Sequence, residues 1–466
     1  MTHDTRAAAD SLRPGAIGTA GIVFFVVAAA APLAATLGAA PLVFGANGIG
    51  APGAYVAATV VLLLFAVGYA TMSRHVTGAG GFATYISHGL GGAAGHAAAF
   101  VALLAYNCML AGIVGQLGAF AQSTVDDKWG LDLPWQVWAF VGVAIVAVLG
   151  YRDVGLSARV LGVLLVAEVV VLLVMDVVVI VRGGASGLAF EAFDPTTVFD
   201  GAAGIAVMFA FSCFVGFEAT TIYGEEARDP RRSVPRATYV AILAIGVFYT
   251  VTMFAIGTGY GAGDVADEAR ADPVGFVLSL NTRYVGSAST TVMELLVLTS
   301  LLAVVLAFHN TLSRYLYSLG RARVLPSPLG RTRRADQAPH VASAVQTGIT
   351  AVIVTGFAVA GADPFLNLFA WLVGLGTLGV LVLQAATSVA VVVYFRRTRG
   401  DARPWQTLIA PTLALVGLTG AVYLVTRNFT VLTGVTSGPV LLLPWLIPVA
   451  ALVGLAAWSR TRRTRL

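Results

Sequence analysis

Twelve long apolar runs, parted by short polar stretches, leave this chain little choice of solvent. They lie at 17–37, 55–72, 94–120, 131–150, 160–181, 202–223, 239–257, 292–319, 341–360, 365–395, 405–424 and 439–458, and each reaches the roughly 18 apolar residues that read as a helix crossing a bilayer. Of the 466 residues 58% are hydrophobic and only 11% charged, about half the charged share of a soluble domain. Backbone N–H and C=O groups cannot go unpaired in hydrocarbon, so runs of this length must be helical. The expectation is an all-α polytopic membrane protein of 12 transmembrane helices with both termini on the same side.

The distribution of basic residues tests that count, because a missed helix would scramble it. With the N-terminus inside, all but Lys128, Arg182, Arg270, Arg283 and Arg427 of the 28 Lys and Arg residues fall in or beside cytoplasmic segments. Asp264, Asp267, Glu268 and Asp272 then lie outside, and Arg460, Arg462, Arg463 and Arg465 inside, where they meet anionic lipid. The net charge of +5 belongs to this pattern, so no nucleic acid partner is expected. The polar stretch from Met1 to Leu12 precedes a run too long for a signal-peptide core, with no small-residue cleavage pattern after it, and is expected to stay on the protein. The cell inner membrane is the expected location, with both termini cytoplasmic.

Several chemistries have no place in this chain. The longest interruption, 258–291, reads as a loop with a short helix rather than a domain. Lysine occurs once, at Lys128, so a nucleotide P-loop has no lysine to use. There is no G-x-S-x-G elbow and no H-E-x-x-H motif, and the six histidines show no metal-ligand spacing. Cys108 and Cys213 read as buried free thiols. Gly89, Gly91, Gly92 and Gly95 follow no strand and read as a turn with tight helix packing. No enzymatic activity, metal or cofactor is expected, which leaves transport, conduction or sensing.

The irregularities inside the runs carry the information. The first reads "VVAAAAPLAAT" with Pro32 near its middle. Proline removes an N–H and clashes with the preceding turn, freeing carbonyls that need a partner or a cavity. The alanines from Ala28 to Ala31 allow a ligand close to the backbone; a plain kink packed by small residues is the alternative. The sixth run carries "CFVGFE", with Gly216 beside aromatics and an acid. Matched interruptions in the first and sixth spans are what inverted five-helix repeats produce. Two half-helices, one offering amides and the other carbonyls, suit a zwitterion such as an amino acid.

"GFE" from Gly216 and "EEARDPRRSVPRA" from Glu225 to Ala237 resemble the sixth-helix signature of the amino acid-polyamine-organocation superfamily of permeases. "SRYLYSLGRARVLP" from Ser313 to Pro326 resembles the end of that family's eighth helix. The resemblance covers essentially the whole chain. It implies the leucine-transporter fold, with a first five-helix repeat at 17–181, a second at 202–395, two additional helices at 396–458, and cytoplasmic tails at 1–16 and 459–466. The family's first helix usually breaks at a Gly-Ser-Gly type sequence, from which the alanines and Pro32 depart. Ala29, Ala30, Ala31, Phe214, Gly216, Phe217 and Glu218 are the expected substrate-binding residues, Phe217 matching the family's aromatic gate. In several relatives a lysine of the fifth helix lies nine residues after a basic or polar residue. Here Glu168 lies nine after Arg159, so an acid stands where those relatives place a base, and Glu168 is the candidate proton-coupling residue.

A charge near mid-membrane costs about 2.5 to 3.5 kcal/mol on insertion scales, so Glu218 should face the bundle interior, either lining the cavity or bonding a neighbouring helix. Asp176 and Glu294 lie toward the outer ends of their spans and read as vestibule or snorkelling groups. Glu225, Glu226 and Asp229 read as an ion-pair network at the inner gate. His309, Asn310, Thr311 and Ser313 lie in the inner half of the eighth span, with Thr311 and Ser313 on different helix faces. The reading as a whole is a secondary active transporter for amino acids or related amines, by proton symport. Its variants are an exchanger or facilitator and a non-transporting ligand sensor. Substrate, proton and lipid are the expected partners, with no obligatory protein partner.

Overall fold

The apolar runs become helices, and the first becomes two. In the computed structural model, which describes residues 18–76, 81–151, 158–220, 229–333, 338–398, 403–435 and 437–463, α1 (Thr19–Ala30) stops at Ala31 and α2 (Pro32–Asn47) begins with Pro32 at its first position. Pro32 has no N–H to give the Ala28 carbonyl, which accepts instead from the Ala31 N–H at 3.2 Å. Ala31 pivots the chain in a left-handed conformation, φ 44° and ψ 70°.

A 3₁₀ turn, Gly48–Gly50, leads into α3 (Ala51–Met72). The short α4 (Gly81–Leu90) precedes α5 (Gly92–Trp129), whose 38 residues run well past the apolar run that announces it. Between them Gly91 turns the chain at φ 98°, and Gly89 lies so close to Ala390 that no side chain fits there. Then come α6 (Trp135–Tyr151), α7 (Ala158–Arg182), the single turn α8 (Pro195–Val198) and α9 (Ala203–Ser212). The stretch 258–291 carries two short helices rather than one, α11 (Val265–Ala271) and α12 (Phe276–Tyr284), between the long α10 (Pro230–Tyr260) and α13 (Ser287–Arg321). The chain ends with α14 (His340–Val359), α15 (Ala370–Thr398) behind the π-helical turn Pro364–Phe369, α16 (Ala410–Arg427), α17 (Phe429–Thr433) and α18 (Leu446–Arg463).

Among the described residues no strand occurs, and ten helical stretches are long and apolar enough to cross a membrane. The sequence divides the same residues into twelve. The difference has a physical origin: the break at Ala31 shortens α1, the 3₁₀ turn Gly48–Gly50 makes α2 and α3 one stretch, Pro32–Met72, and α6 falls just short of a full span.

Without water there is no hydrophobic drive between helices, and packing relies on small residues. At the centre, α5 packs on α15 and the π-helical turn before it through Gly112, Gly115, Gly376 and Gly379, where added side chains would meet Val373, Leu368, Met109 and Ala105. On α7 the apolar Val163, Val166, Val170, Val177 and Val181 are exposed, forming the lipid-facing side. The opposite side buries Glu168 and Asp176 against α10, α13 and α2. Arg159 lies in α7, its side chain outside the described residues; the tail 1–16, Glu225, Glu226 and Arg465 lie outside them altogether.

Candidate functional site

The two interrupted helices meet. After Ser212 the chain leaves the helix through a turn at residues 213–216, with Gly216 at φ 111°, and re-enters a 3₁₀ turn at 217–220. A Cβ built on Gly216 would lie 3.6 Å from the Cβ of Ala29, so the second break rests against the first. Beside this junction is a cavity of about 80 Å³. Ala29, Ala30, Ala31 and Ala34 line it from α1, α2 and the break between them, and Ser212, Cys213 and Val215 from the end of α9 and the turn after it. Met109, Ile113 and Gln116 of α5, Leu301, Val304 and Phe308 of α13, and Phe369 and Val373 close the rest. The surface is apolar except for Ser212, Cys213 and Gln116, whose amide donates to the Ala34 carbonyl at 2.8 Å.

Each break holds a carboxylate of the protein. At the first, Oε2 of Glu168 accepts from the Leu33 N–H at 3.4 Å, an amide near the N-terminus of α2. Ser300 of α13 lies beside the same carboxylate. On the other side of the break the Ala30 carbonyl accepts from the Tyr249 hydroxyl at 3.1 Å. At the second break, Glu218 folds back so that Oε2 accepts from the Gly216 N–H at 2.9 Å, while Oε1 accepts from the Tyr106 hydroxyl at 2.7 Å. Tyr69 of α3 donates to the Glu218 backbone carbonyl at 3.2 Å. Exposed amides at a helix start attract anions, and both breaks follow that rule with side chains from within the bundle.

Of the residues singled out in the sequence, Ala29, Ala30 and Ala31 line the cavity and Gly216 borders Ala29. Phe214 and Phe217 are buried and are not part of the lining; the Phe217 ring packs edge-on against Phe65 at 6.0 Å and against Tyr69 at 6.3 Å. Glu218 is likewise tied up at the break rather than open to the cavity. Asp176 accepts from Thr252 at 2.7 Å. Glu294 pairs with Lys128 at 2.9 Å. His309 meets Ser343 of α14 at 3.1 Å, joining α13 to α14, and Ser313 donates to the His309 carbonyl within α13. Among the described residues no group of His, Cys, Asp and Glu is arranged to hold a metal ion. Asp229 pairs with Arg232 at 3.8 Å at the surface.

Comparison with known proteins decides the family. The family model for amino acid permeases matches residues 21–465, which takes in both breaks and nearly the whole chain. The chain belongs to the amino acid permease family. The branched-chain amino acid permease BcaP of Lactococcus lactis is 28% identical over 79% of this chain and 80% of its own length. Its namesake in Bacillus subtilis is 28% identical over 55% of this chain and 51% of its own. The general amino-acid permease of Saccharomyces cerevisiae is 25% identical over 65% of this chain and 51% of its own. This permease is therefore a multi-pass membrane protein of a family that transports amino acids.

Four side chains of the permease's site escape a reading of single spans: Tyr106, Gln116, Tyr249 and Ser300. Gln116 carries a local signal, an amide within an apolar run. The tyrosine and serine hydroxyls are too common in membrane helices to stand out, and only their partners on distant spans mark them.

Proposed function

We propose that this permease is a secondary active transporter for apolar amino acids that couples uptake to a proton by alternating access. One observation carries the reading: two broken helices meet at a small apolar cavity, with an acid bound to an amide of the first break. A backbone amide that has lost its helical partner recognises a carboxylate, and carbonyls at the end of α1 and in the 213–216 turn recognise an ammonium. Met109, Ile113, Val304, Phe308 and Phe369 receive an aliphatic side chain and offer no counter-charge to an acidic or basic one. The similarity to branched-chain permeases supports the same substrate class. In this reading Ala29, Ala30, Ala31 and Gly216 contact the substrate, while Phe214, Phe217 and Glu218 hold the sixth-span break in shape and gate it.

The twelve-span, five-plus-five arrangement belongs to this proposal. Residues 17–181 and 202–395 form the repeats, 396–458 two further helices, and 1–16 and 459–466 cytoplasmic tails in a cell inner membrane. The matched breaks at Ala31 and Gly216, each in the first span of its repeat, support it. Glu168 is the coupling residue. As a carboxylate it holds the Leu33 amide and ties α7 to the start of α2. On taking a proton its oxygen accepts less strongly, the amide is released, and the tie between the fifth span and the broken first span loosens.

The test is uptake of labelled leucine into liposomes containing the purified protein, with and without an imposed pH gradient. Wild type is expected to accumulate leucine when the gradient is present. Glu168→Gln keeps the size of the side chain and a hydrogen-bond acceptor but cannot carry a proton; it is expected to exchange leucine across the membrane yet accumulate at least about tenfold less of it. Gradient-driven accumulation at the wild-type level by Glu168→Gln removes that residue from the coupling role. Leucine binding without flux in wild type makes the protein a sensor.

A further inference from the structure

A second acid lies on the same side of α7 as Glu168. Asp176 is eight residues further along, about 12 Å along the axis at 1.5 Å per residue, and is 1% exposed, between the buried Met175 and Val179. Its Oδ2 accepts from Thr252, and its Oδ1 is buried without a partner. A contact that only fastened α7 to α10 would need one neutral acceptor, and an amide or hydroxyl would supply it at far lower cost than a carboxylate within the bilayer.

The groups that face this acid and Glu168 form a line along the seam between α7 and α10. Thr252 and Tyr249 are three apart on α10 and share a face. Thr252 bonds Asp176; Tyr249 bonds the Ala30 carbonyl, across the break from the Leu33 amide that Glu168 holds. Toward the Arg182 end of the seam lies Thr258, which is buried against Gly184 and whose hydroxyl also lacks a partner. From α13, Ser300 reaches Glu168, while Glu294 is taken by Lys128. From α12, Asn281 is bonded to Thr290 and Tyr284 to the Gly259 carbonyl. From α2 the group that arrives is the Leu33 amide. Neither Asp176 nor Glu168 belongs to an ion pair among the described residues.

We propose that Asp176 is a second proton-holding carboxyl of the transport cycle, the entry station of a relay along the α7–α10 seam that delivers protons to Glu168. The inference rests on the proton-symport reading above. A proton from water at the Arg182 end of the seam is taken up on the unpartnered Oδ1, while Thr252 continues to donate to Oδ2. For the onward step the Thr252 hydroxyl turns from donating to Oδ2 to accepting the carboxyl proton and gives its own proton to water in the seam, which passes one proton on to Glu168, so that each carrier gives up one proton as it accepts the next. Asp176 is returned to the carboxylate and Glu168 releases the Leu33 amide.

The experiment uses liposomes loaded with a pH-sensitive dye, in which leucine-driven proton entry and leucine exchange at equal internal and external concentration are measured on the same preparation. Asp176→Asn is expected to slow proton entry and gradient-driven accumulation about tenfold or more while changing exchange less than about twofold. Asp176→Glu is expected to restore most of the coupled rate. Thr252→Val, which removes the hydroxyl and keeps the shape, is expected to slow proton entry about threefold or more with exchange unchanged. Wild-type proton entry in Asp176→Asn overturns the relay and leaves Glu168 coupling intact. A parallel loss of exchange and proton entry in Asp176→Asn, unrescued by Asp176→Glu, assigns Asp176 to structure and also overturns it. Absence of leucine-driven proton entry in wild type removes the symport reading itself.

Discussion

Gly216 bears the strictest demand of any residue in the site, because its φ of 111° is closed to side chains while the space beside it is not. A methyl there would lie 3.6 Å from Ala29, an ordinary contact, so the cost of Gly216→Ala is backbone strain of about 1 to 3 kcal/mol rather than collision. The expected result is a protein that still inserts, melts a few degrees lower, and transports leucine about tenfold more slowly or worse; a wild-type rate would show that the break is incidental to transport. Gly216→Leu adds bulk toward Ala29 and is expected to abolish binding. Pro32, Gly216, Glu168 and Glu218 were legible in the sequence because a helix breaker or an acid within hydrocarbon is costly and therefore rare. Their partners were not. Gln116 and Ala34 are 82 positions apart, Tyr106 and Glu218 112, and Glu168 and Leu33 135, and nothing local in a sequence announces which hydroxyl or amide another span will deliver. Phe214 and Phe217 show the converse: their nearness to the break was visible, but not that both are buried outside the cavity lining, the Phe217 ring packed against Phe65 and Tyr69.

At the scale of elements, the break between α1 and α2 rests on a strained alanine and a proline. Pro32→Ala supplies the missing N–H to the Ala28 carbonyl and removes the clash, so α1 and α2 can join in one helix, gaining a hydrogen bond and about 3 kcal/mol of helix propensity. That gain withdraws the Ala30 carbonyl and the Leu33 amide from the positions where Tyr249 and Glu168 meet them. Pro32→Ala is expected to raise thermal stability while lowering leucine uptake about tenfold or more, and a variant that gains stability and keeps full transport would count against a working hinge at Ala31. The apolar runs located most long helices because hydrocarbon demands apolar surface, yet they measured the membrane rather than the helix. The polar end of α5 at "QSTVDDKW" and the short α4, α11 and α12 are helical beyond the apolar runs, where the signal used to find helices disappears.

Considered as a whole, the molecule surrounds its cavity with aliphatic and aromatic side chains and keeps Glu168 and Glu218 occupied at the two breaks. A charged substrate side chain would enter without a counter-ion, at a cost of several kcal/mol. Unlabelled isoleucine and valine are therefore expected to compete with labelled leucine at similar concentrations, and arginine or glutamate only at about a hundredfold higher ones; equal competition by arginine would refute an apolar cavity as the selective element. One further property follows from composition and fold together. Lys128 is the only lysine in the chain, it is about one-third exposed, and Glu294 holds its ammonium at 2.9 Å across the junction of α5 with α13. Beyond the α-amino group, an amine-directed reagent has a single side chain to acylate, and it acylates that one only while the pair is parted. The rate of labelling at Lys128 thus follows the parting of this pair, and an attached fluorophore marks the junction of α5 with α13 without a single engineered residue.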